Sequence, residues 1–302
     1  MLYIQSLREG LQLFKALGSS TRIAVLDLLA EKGPMRMTAI AEALDITGGA
    51  LTSHVKELHD AGLISIELTG GKHGLQKICH VNDERILVES ILRSRKFSAH
   101  EREVAVGHYT STDAFAPCGF ATADQVNESV SNLSDLPAAD RADAGALWFS
   151  SGGVEYSVPN ALKTGQKPIE LQISMEISSF VPGEEDEWPS DIHITVNKKD
   201  IGFFTSPGDN KRFVGRNNPV WWRRDRSQHG FFKLIEINEK GSYIDGEEVS
   251  DVTIDSLNLG RGDIKLHIYV PPKAVNQGGI MLYGRSFGNY PQDIKVRTLY
   301  RG

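Results

Sequence analysis

The hydrophobic positions of the chain change period once: up to about residue 96 they recur at helical spacing, and beyond it they alternate. Leu7, Leu11, Phe14 and Leu17 predict a first helix, and Gly18-Ser19-Ser20 supplies a stop and a capping hydroxyl for the next. That second helix spans about 21–31, with Ile23, Leu26, Leu29 and Ala30 on one face and Gly33-Pro34 at its end. A short helix is expected near 38–44, with Ile40, Ala41 and Leu44 inward. Ile46-Thr47-Gly48-Gly49 then turns the chain into a longer helix whose inward stripe is Leu51, Val55 and Leu58. Its opposite side carries Ser53, Lys56 and Asp60, with Thr52 and His59 on one flank. A small, polar, mildly basic face of this kind suits the second helix of a helix-turn-helix, which reads base edges in the major groove.

Two strand-like pieces follow, 63–68 and 75–81, joined by Thr69-Gly70-Gly71-Lys72-His73-Gly74. A glycine-rich hairpin tip with Lys72 and His73 forms a wing able to reach phosphate or minor groove, or else a solvated tip. A last helix over about 83–96 places Ile86, Leu87, Ile91 and Leu92 in a stripe that a domain this small leaves uncovered.

After Phe97 alternation takes over, in Leu171, Ile173, Met175 and Ile177, in Ile192, Ile194 and Val196, and in Ile264, Leu266, Ile268 and Val270. Turn signals fall at 150–153, 207–210, 245–246 and 260–263. Strands with one buried face and no helices between them imply a two-sheet sandwich or jelly roll. The polar segment 123–144 reads as a long loop or short helix over one end. The expected architecture is therefore α+β and multidomain: a winged helix-turn-helix over 1–97 and an all-β, jelly-roll-like sandwich over 98–302.

The segments Leu13-Phe-Lys-Ala-Leu-Gly-Ser-Ser-Thr-Arg-Ile-Ala-Val-Leu-Asp-Leu-Leu29 and Leu51-Thr-Ser-His-Val-Lys-Glu-Leu-His-Asp-Ala-Gly-Leu63 together resemble the ArsR-like winged-helix repressors. The resemblance covers about the first third of the chain. It implies a homodimer formed through the first and last helices of the domain, with Thr52, Ser53 and Lys56 where the family touches a double-stranded DNA operator. The sequence departs from that pattern in two places. Ser53 stands where a basic or long polar side chain is common, and Met35, Arg36 and Met37 stand where metal-sensing members carry cysteines. Metal sensing through that site is not expected. The sandwich resembles carbohydrate-binding modules in general appearance only, which transfers no residue.

Charge divides along the same boundary. The net charge is −6, but residues 1–96 carry 12 Lys and Arg against 11 Asp and Glu, and the remainder carries 21 against 28, a net −7. An anionic partner therefore belongs to the first portion. The first apolar run is broken by Arg8 and Glu9, and no later segment is apolar for long enough to span a bilayer, so a soluble, cytoplasmic chain without a membrane partner is expected. Cys79 and Cys118, the two cysteines, show no metal-ligand or disulfide spacing and read as free thiols.

No hydrolase, metalloprotease or phosphate-loop motif occurs, and the acidic run Glu184-Glu-Asp-Glu187 reads as a solvated loop, so no enzyme activity, cofactor or metal is expected. The chemistry that remains is Asn218-Pro-Val-Trp-Trp-Arg-Arg-Asp-Arg-Ser-Gln-His-Gly230. In an extended strand Trp221 and Trp222 would face opposite sides, one in the core and one open. The open ring can stack on a sugar while Arg223 or Arg224, Gln228 and His229 bond hydroxyls or a carboxylate, with Trp188 and Tyr156 as further walls. Packing alone, or a single-stranded nucleic acid, are the competing readings. The expectation is a DNA-binding regulator, a repressor, whose sandwich senses a sugar or sugar acid. Its rivals are a sandwich that docks a partner and one that acts on a glycan.

Overall fold

The computed structural model describes residues 2–4, 7–71, 74–82, 86–88, 97–129, 136, 138–180, 187–208, 214–260 and 262–302. The chain divides into two compact units, Met1–Arg95 and Lys96–Gly302.

The first unit runs β1 (Leu2–Ile4), α1 (Leu11–Leu17), α2 (Ser20–Lys32), β2 (Met35–Arg36), α3 (Met37–Ala43), α4 (Gly48–Asp60), β3 (Ile64–Gly71), β4 (Gly74–Val81) and β5 (Ile86–Val88). Its core joins Leu13 and Ala16 of α1, Val25 and Leu29 of α2, Ile40 and Ala41 of α3, and Leu51, Val55 and Leu58 of α4. The stripe expected on α4 is the buried one, whereas those on α1 and α2 are rotated. Leu7, Leu11 and Ile23 are exposed, and Val25 with Leu29 takes the inward face of α2. Nearly every position of α2 between Ile23 and Ala30 is apolar, so periodicity alone does not fix its direction. Ser19 sits at the N-cap of α2 without a side-chain bond. Arg22 fastens the two helices instead, donating to Lys15 O at 2.5 Å and Ala16 O at 2.6 Å, carbonyls that a helix end leaves unpaired.

The three-stranded sheet β2-β4-β3 forms the wing. Of the expected last helix, Ile86–Val88 is a strand, paired in parallel with Leu2–Ile4, and 83–85 and 89–96 lie outside the described residues. Ile86–Val88 thus satisfies its backbone against another strand, a solution that side-chain spacing does not reveal.

The second unit holds β6 (Ser98–Val104), β7 (Ser111–Thr112), β8 (Phe115–Ala121), β9 (Val126–Ser129), β10 (Ala146–Val158), β11 (Lys167–Ser178), β12 (Glu187–Val196), β13 (Lys199–Gly208), β14 (Phe231–Asn238), β15 (Ser242–Ile244), β16 (Glu247–Ser250), β17 (Ile264–Val270), β18 (Ile280–Tyr283) and β19 (Ile294–Arg301). They build an antiparallel sandwich. One layer is β13-β12-β17-β10-β7. The other carries β9-β8-β10-β18-β11, with β14-β15-β16 on one side of β11 and β19-β6 on the other. Strand β10 serves both, pairing through 146–151 in the second layer and 152–158 in the first. The switch falls at Gly152 (φ +75°), where a Cβ would lie 2.2 Å from Asp113 O. Between the layers pack the alternating residues read from the sequence, among them Ile173 and Met175, Ile192 and Ile194, Leu266 and Ile268. Segment 123–144 contributes β9 and a short 3-10 helix, Ala139–Asp143. Among the described residues no helix is long and apolar enough to cross a membrane.

Asp245-Gly246 forms a two-residue hairpin turn with φ +53° and +81°. Asn197-Lys198 makes the same kind of turn between β12 and β13, with φ +50° and +66°. Asn197 anchors it, donating to Leu257 O and accepting from Lys265 N, both at 2.8 Å. The exposed Lys198 only bears the left-handed conformation. Lys198→Gly is expected to stabilise the protein by about 0.5–1 kcal/mol, read as a raised unfolding midpoint in denaturant. An unchanged or lowered midpoint contradicts this.

Candidate DNA-reading face and candidate ligand site

The helix-turn-helix comprises α3, the turn 44–47 and α4. Asp45 (φ +51°) ends α3, with Asp45 N donating to Glu42 O and Ile46 N to Ala41 O. Gly62 (φ +78°) ends α4 by the same two-bond pattern, Gly62 N to His59 O and Leu63 N to Leu58 O. Both ends are thereby fixed in direction. Thr47 caps α4, its hydroxyl accepting from Ala50 N at 3.3 Å. Leu51, Val55 and Leu58 hold the helix to the core, and Thr52, Ser53, Lys56 and His59 are exposed. Within that set the structure distinguishes roles. Thr52 Oγ1 donates back to Gly48 O at 2.8 Å, His59 lies 3.5 Å from the neighbouring Asp60 carboxylate in the last turn, and Ser53 and Lys56 are exposed. Lys72 and His73 lie outside the described residues. In the wing, β3 and β4 stay in register out to Gly71 opposite Gly74, and His80 Nε2 meets Glu67 Oε2 at 3.0 Å near its base. Cys79 is buried and free, and burial pushes its thiol up to about 11, so it remains protonated at neutral pH.

The two-tryptophan stretch is a loop between β13 and β14, where the sequence suggested an extended strand. It covers the outer side of the second layer. Trp148 of β10 points away from the sandwich core and joins Ala121, Met281, Tyr283, Phe287 and Trp222 in a small separate core. Trp222 is buried there, 4.9 Å from the Phe287 ring, and donates Nε1 to Ser227 O at 2.9 Å. Trp221 remains 38% exposed and donates Nε1 to Ala123 O at 2.6 Å. One ring is thus packed and its neighbour open, as expected, but turn geometry rather than strand alternation produces the split.

The polar residues of the stretch mostly hold the loop itself. Arg226 lies over the Trp222 and Trp148 rings, at 5.3 and 5.9 Å, and pairs through both terminal nitrogens with Glu128 of β9 at 2.9 and 2.8 Å. Arg223 pairs with Asp225. Gln228 is buried, donating to Arg223 O and Arg226 O and accepting from Asn218. A ligand cannot reach it without opening the loop, which corrects its expected role. Tyr156 is corrected likewise. It is fully buried in the main core with its hydroxyl donating to Val106 O at 2.6 Å, so it walls no open site. Trp222 is a packing residue for the same reason. Trp221, Arg223 and Arg224 keep exposed surface, and His229 and Trp188 are half-buried. Trp188 belongs to β12 and packs by Gly278, in a different element from the loop.

Two groups that hold this region were not legible beforehand. Buried Glu176 of β11 accepts from the amides of Gly230, Asn289 and Tyr290 at 2.8–3.0 Å, fastening the tryptophan loop to the 284–290 loop. Its only sequence signal is an acidic residue at a strand position. Glu128, the partner of Arg226, gave no signal. Among the described residues no group of three or more His, Cys, Asp or Glu is arranged to hold a metal.

Residues 17–67 match the family model of a helix-turn-helix domain. An uncharacterized HTH-type transcriptional regulator of Methanocaldococcus jannaschii is 28% identical over 83 residues, 28% of this chain and 89% of that protein. Among solved structures, a transcriptional regulator homologue from Pyrococcus horikoshii is 23% identical and covers 23% of this chain and 68% of its own, with a TM-score of 0.22. A carbohydrate-binding module, CBM36, in complex with calcium and xylotriose is 9% identical over 67% of this chain and 98% of its own, with a TM-score of 0.28. The N-terminal unit is a helix-turn-helix domain similar to those of transcriptional regulators.

Hydrogen bonds from Arg226 hold the Glu128 carboxyl below its ordinary range. A depressed carboxylate stabilises the fold above its unfolded pKa of about 4.3 and loses that contribution as pH falls through the lower folded value. Acid is therefore expected to release the outer edge of the tryptophan loop as pH falls through that lower folded value, seen as a change in tryptophan emission. In Glu128→Gln the emission should already resemble the released state at neutral pH; identical titrations of the two proteins would refute the clasp.

Proposed function

We propose that the chain is a DNA-binding transcriptional regulator, a homodimeric repressor of ArsR-like type, whose sandwich unit senses a small ligand. The observation that carries the DNA half is α4. Its amino-terminal half is capped, its inward stripe is anchored, and Ser53 and Lys56 project from an otherwise small polar surface. In a two-fold dimer the paired α4 helices read half-sites about one DNA turn apart.

A sugar or sugar acid is the proposed effector. Trp221 offers a ring face, and Arg223, Arg224 and His229 offer donors on the same loop. Such a ligand alters DNA affinity only through its preference for one state of the protein, and DNA alters ligand affinity by the same factor. Exposed Val220, next to Trp221 in the chain, favours the alternative that this loop docks a protein partner.

Lys56→Ala should weaken duplex binding by about tenfold and lower the salt dependence by about one counterion, with unfolding unchanged. Equal affinity and equal salt slope would remove α4 from the interface. For the effector, thermal unfolding against monosaccharides, uronic acids and sugar phosphates should show stabilisation of about 2.7 kcal/mol at a hundredfold excess over Kd, lost in Trp221→Ala. Absence of any shift favours the docking alternative.

A further inference from the structure

The outward side of the first sandwich layer carries a row of rings that none of the roles above uses. Phe203 of β13 stacks on His193 of β12, with centroids 4.8 Å apart and planes 16° apart. His193 meets Tyr269 of β17 at 5.4 Å, and Tyr269 stacks on His267 of the same strand at 4.6 Å and 4°. Strand register makes the row continuous: His193 lies opposite both Phe203 and Tyr269. On the next strand Gly153 lies opposite Tyr269, and a Cβ there would stand 2.5 Å from His267 Nε2. The missing side chain makes the room His267 occupies. These residues alternate with Ile192, Ile194, Ile268 and Val270, all in the core, so the rings stand on the opposite face. Phe203 is 48% exposed.

An outward sheet face ordinarily carries solvated polar residues. Four adjacent rings there make a site, and its chemistry narrows the occupant. Imidazoles and the Tyr269 hydroxyl both donate and accept hydrogen bonds, as sugar hydroxyls do. Phe203 supplies apolar ring surface for C–H groups. The nearby fixed charges include Asp113, 3.8 Å from His267 Nε2, and Asp200, whose field adds to burial in raising the Tyr269 hydroxyl. Arginine is absent from the row, and Lys265, two residues before His267 on β17, is turned to Ser157 Oγ at 2.9 Å, so the row offers a phosphate no bidentate clamp.

We infer that this face binds a neutral oligosaccharide, lying across β13, β12 and β17. The inference goes beyond the effector reading, since it uses a different layer of the sandwich and none of the tryptophan-loop residues.

The test is affinity electrophoresis of the full chain through gels containing soluble β-glucan, xylan or galactomannan, followed by calorimetric titration with the matching tetrasaccharide. At least one polymer should retard the protein. Phe203→Ala, at an exposed position, and His193→Gln should each weaken tetrasaccharide binding about tenfold with unchanged unfolding. No retardation by any of the three polymers, or retardation unaffected by both strip substitutions, overturns the inference. Binding of spermidine to the strip in place of glycan also overturns it, by making the face a cation site. Glycan binding lost only in Trp221→Ala refutes the strip and leaves the loop reading standing.

Discussion

Strand β10 belongs to both layers of the sandwich, and the two surfaces of chemical interest follow from how it crosses between them. At Gly152 the backbone takes a conformation that side chains disfavour, in a space that a Cβ could not enter. Before the switch, Trp148 faces away from the main core and founds the small outer core under the tryptophan loop. Just after it, Gly153 leaves the clearance that lets His267 and Tyr269 complete the ring row on the other layer. A side chain at either glycine would collide with main chain or with the row.

The loop built on Trp148 is held by interactions of unequal weight. Glu176 is fully buried and accepts from three backbone amides, so removing its carboxylate would leave three donors without that partner, at about 1–3 kcal/mol each. The Arg226–Glu128 pair is partly exposed, and such pairs contribute about 0–1 kcal/mol even with good geometry. Glu176 therefore sets the loop's path, and Arg226 adjusts how tightly its outer edge lies down. A loop anchored at its root and lightly clasped at its rim can open at the rim without unfolding the layer beneath.

The sequence made most of this architecture readable for a physical reason. Amphipathic period separates α4 from its surroundings because Leu51, Val55 and Leu58 are interrupted by polar residues, and alternation marks β12 and β17 for the same reason. It fails where both faces are buried or both are apolar. In α2 the inward face centres on Val25 and Leu29 and leaves Ile23 exposed, and in β11 the second row, Glu170, Gln172, Ser174 and Glu176, is buried and hydrogen-bonded rather than solvated. Periodicity was equally silent on the tryptophan loop. Burial of Trp222 and the enclosure of Gln228 depend on the partners Phe287 and Asn218, and Gln228 also closes on its own loop's carbonyls. The ring row was present in the strand pattern as His193, Phe203, His267 and Tyr269 at outward positions, but only register brings three strands' rings together.

The proposed role of α4 is to read DNA sequence as one half of a two-fold pair. Selection of bound duplexes from a random-sequence library by the full-length protein tests it most directly. Enrichment is expected of a motif with two inverted half-sites whose centres lie about 10 base pairs apart, or a multiple of that spacing. Recovery of no motif, with binding that depends on salt but not on sequence, would contradict it.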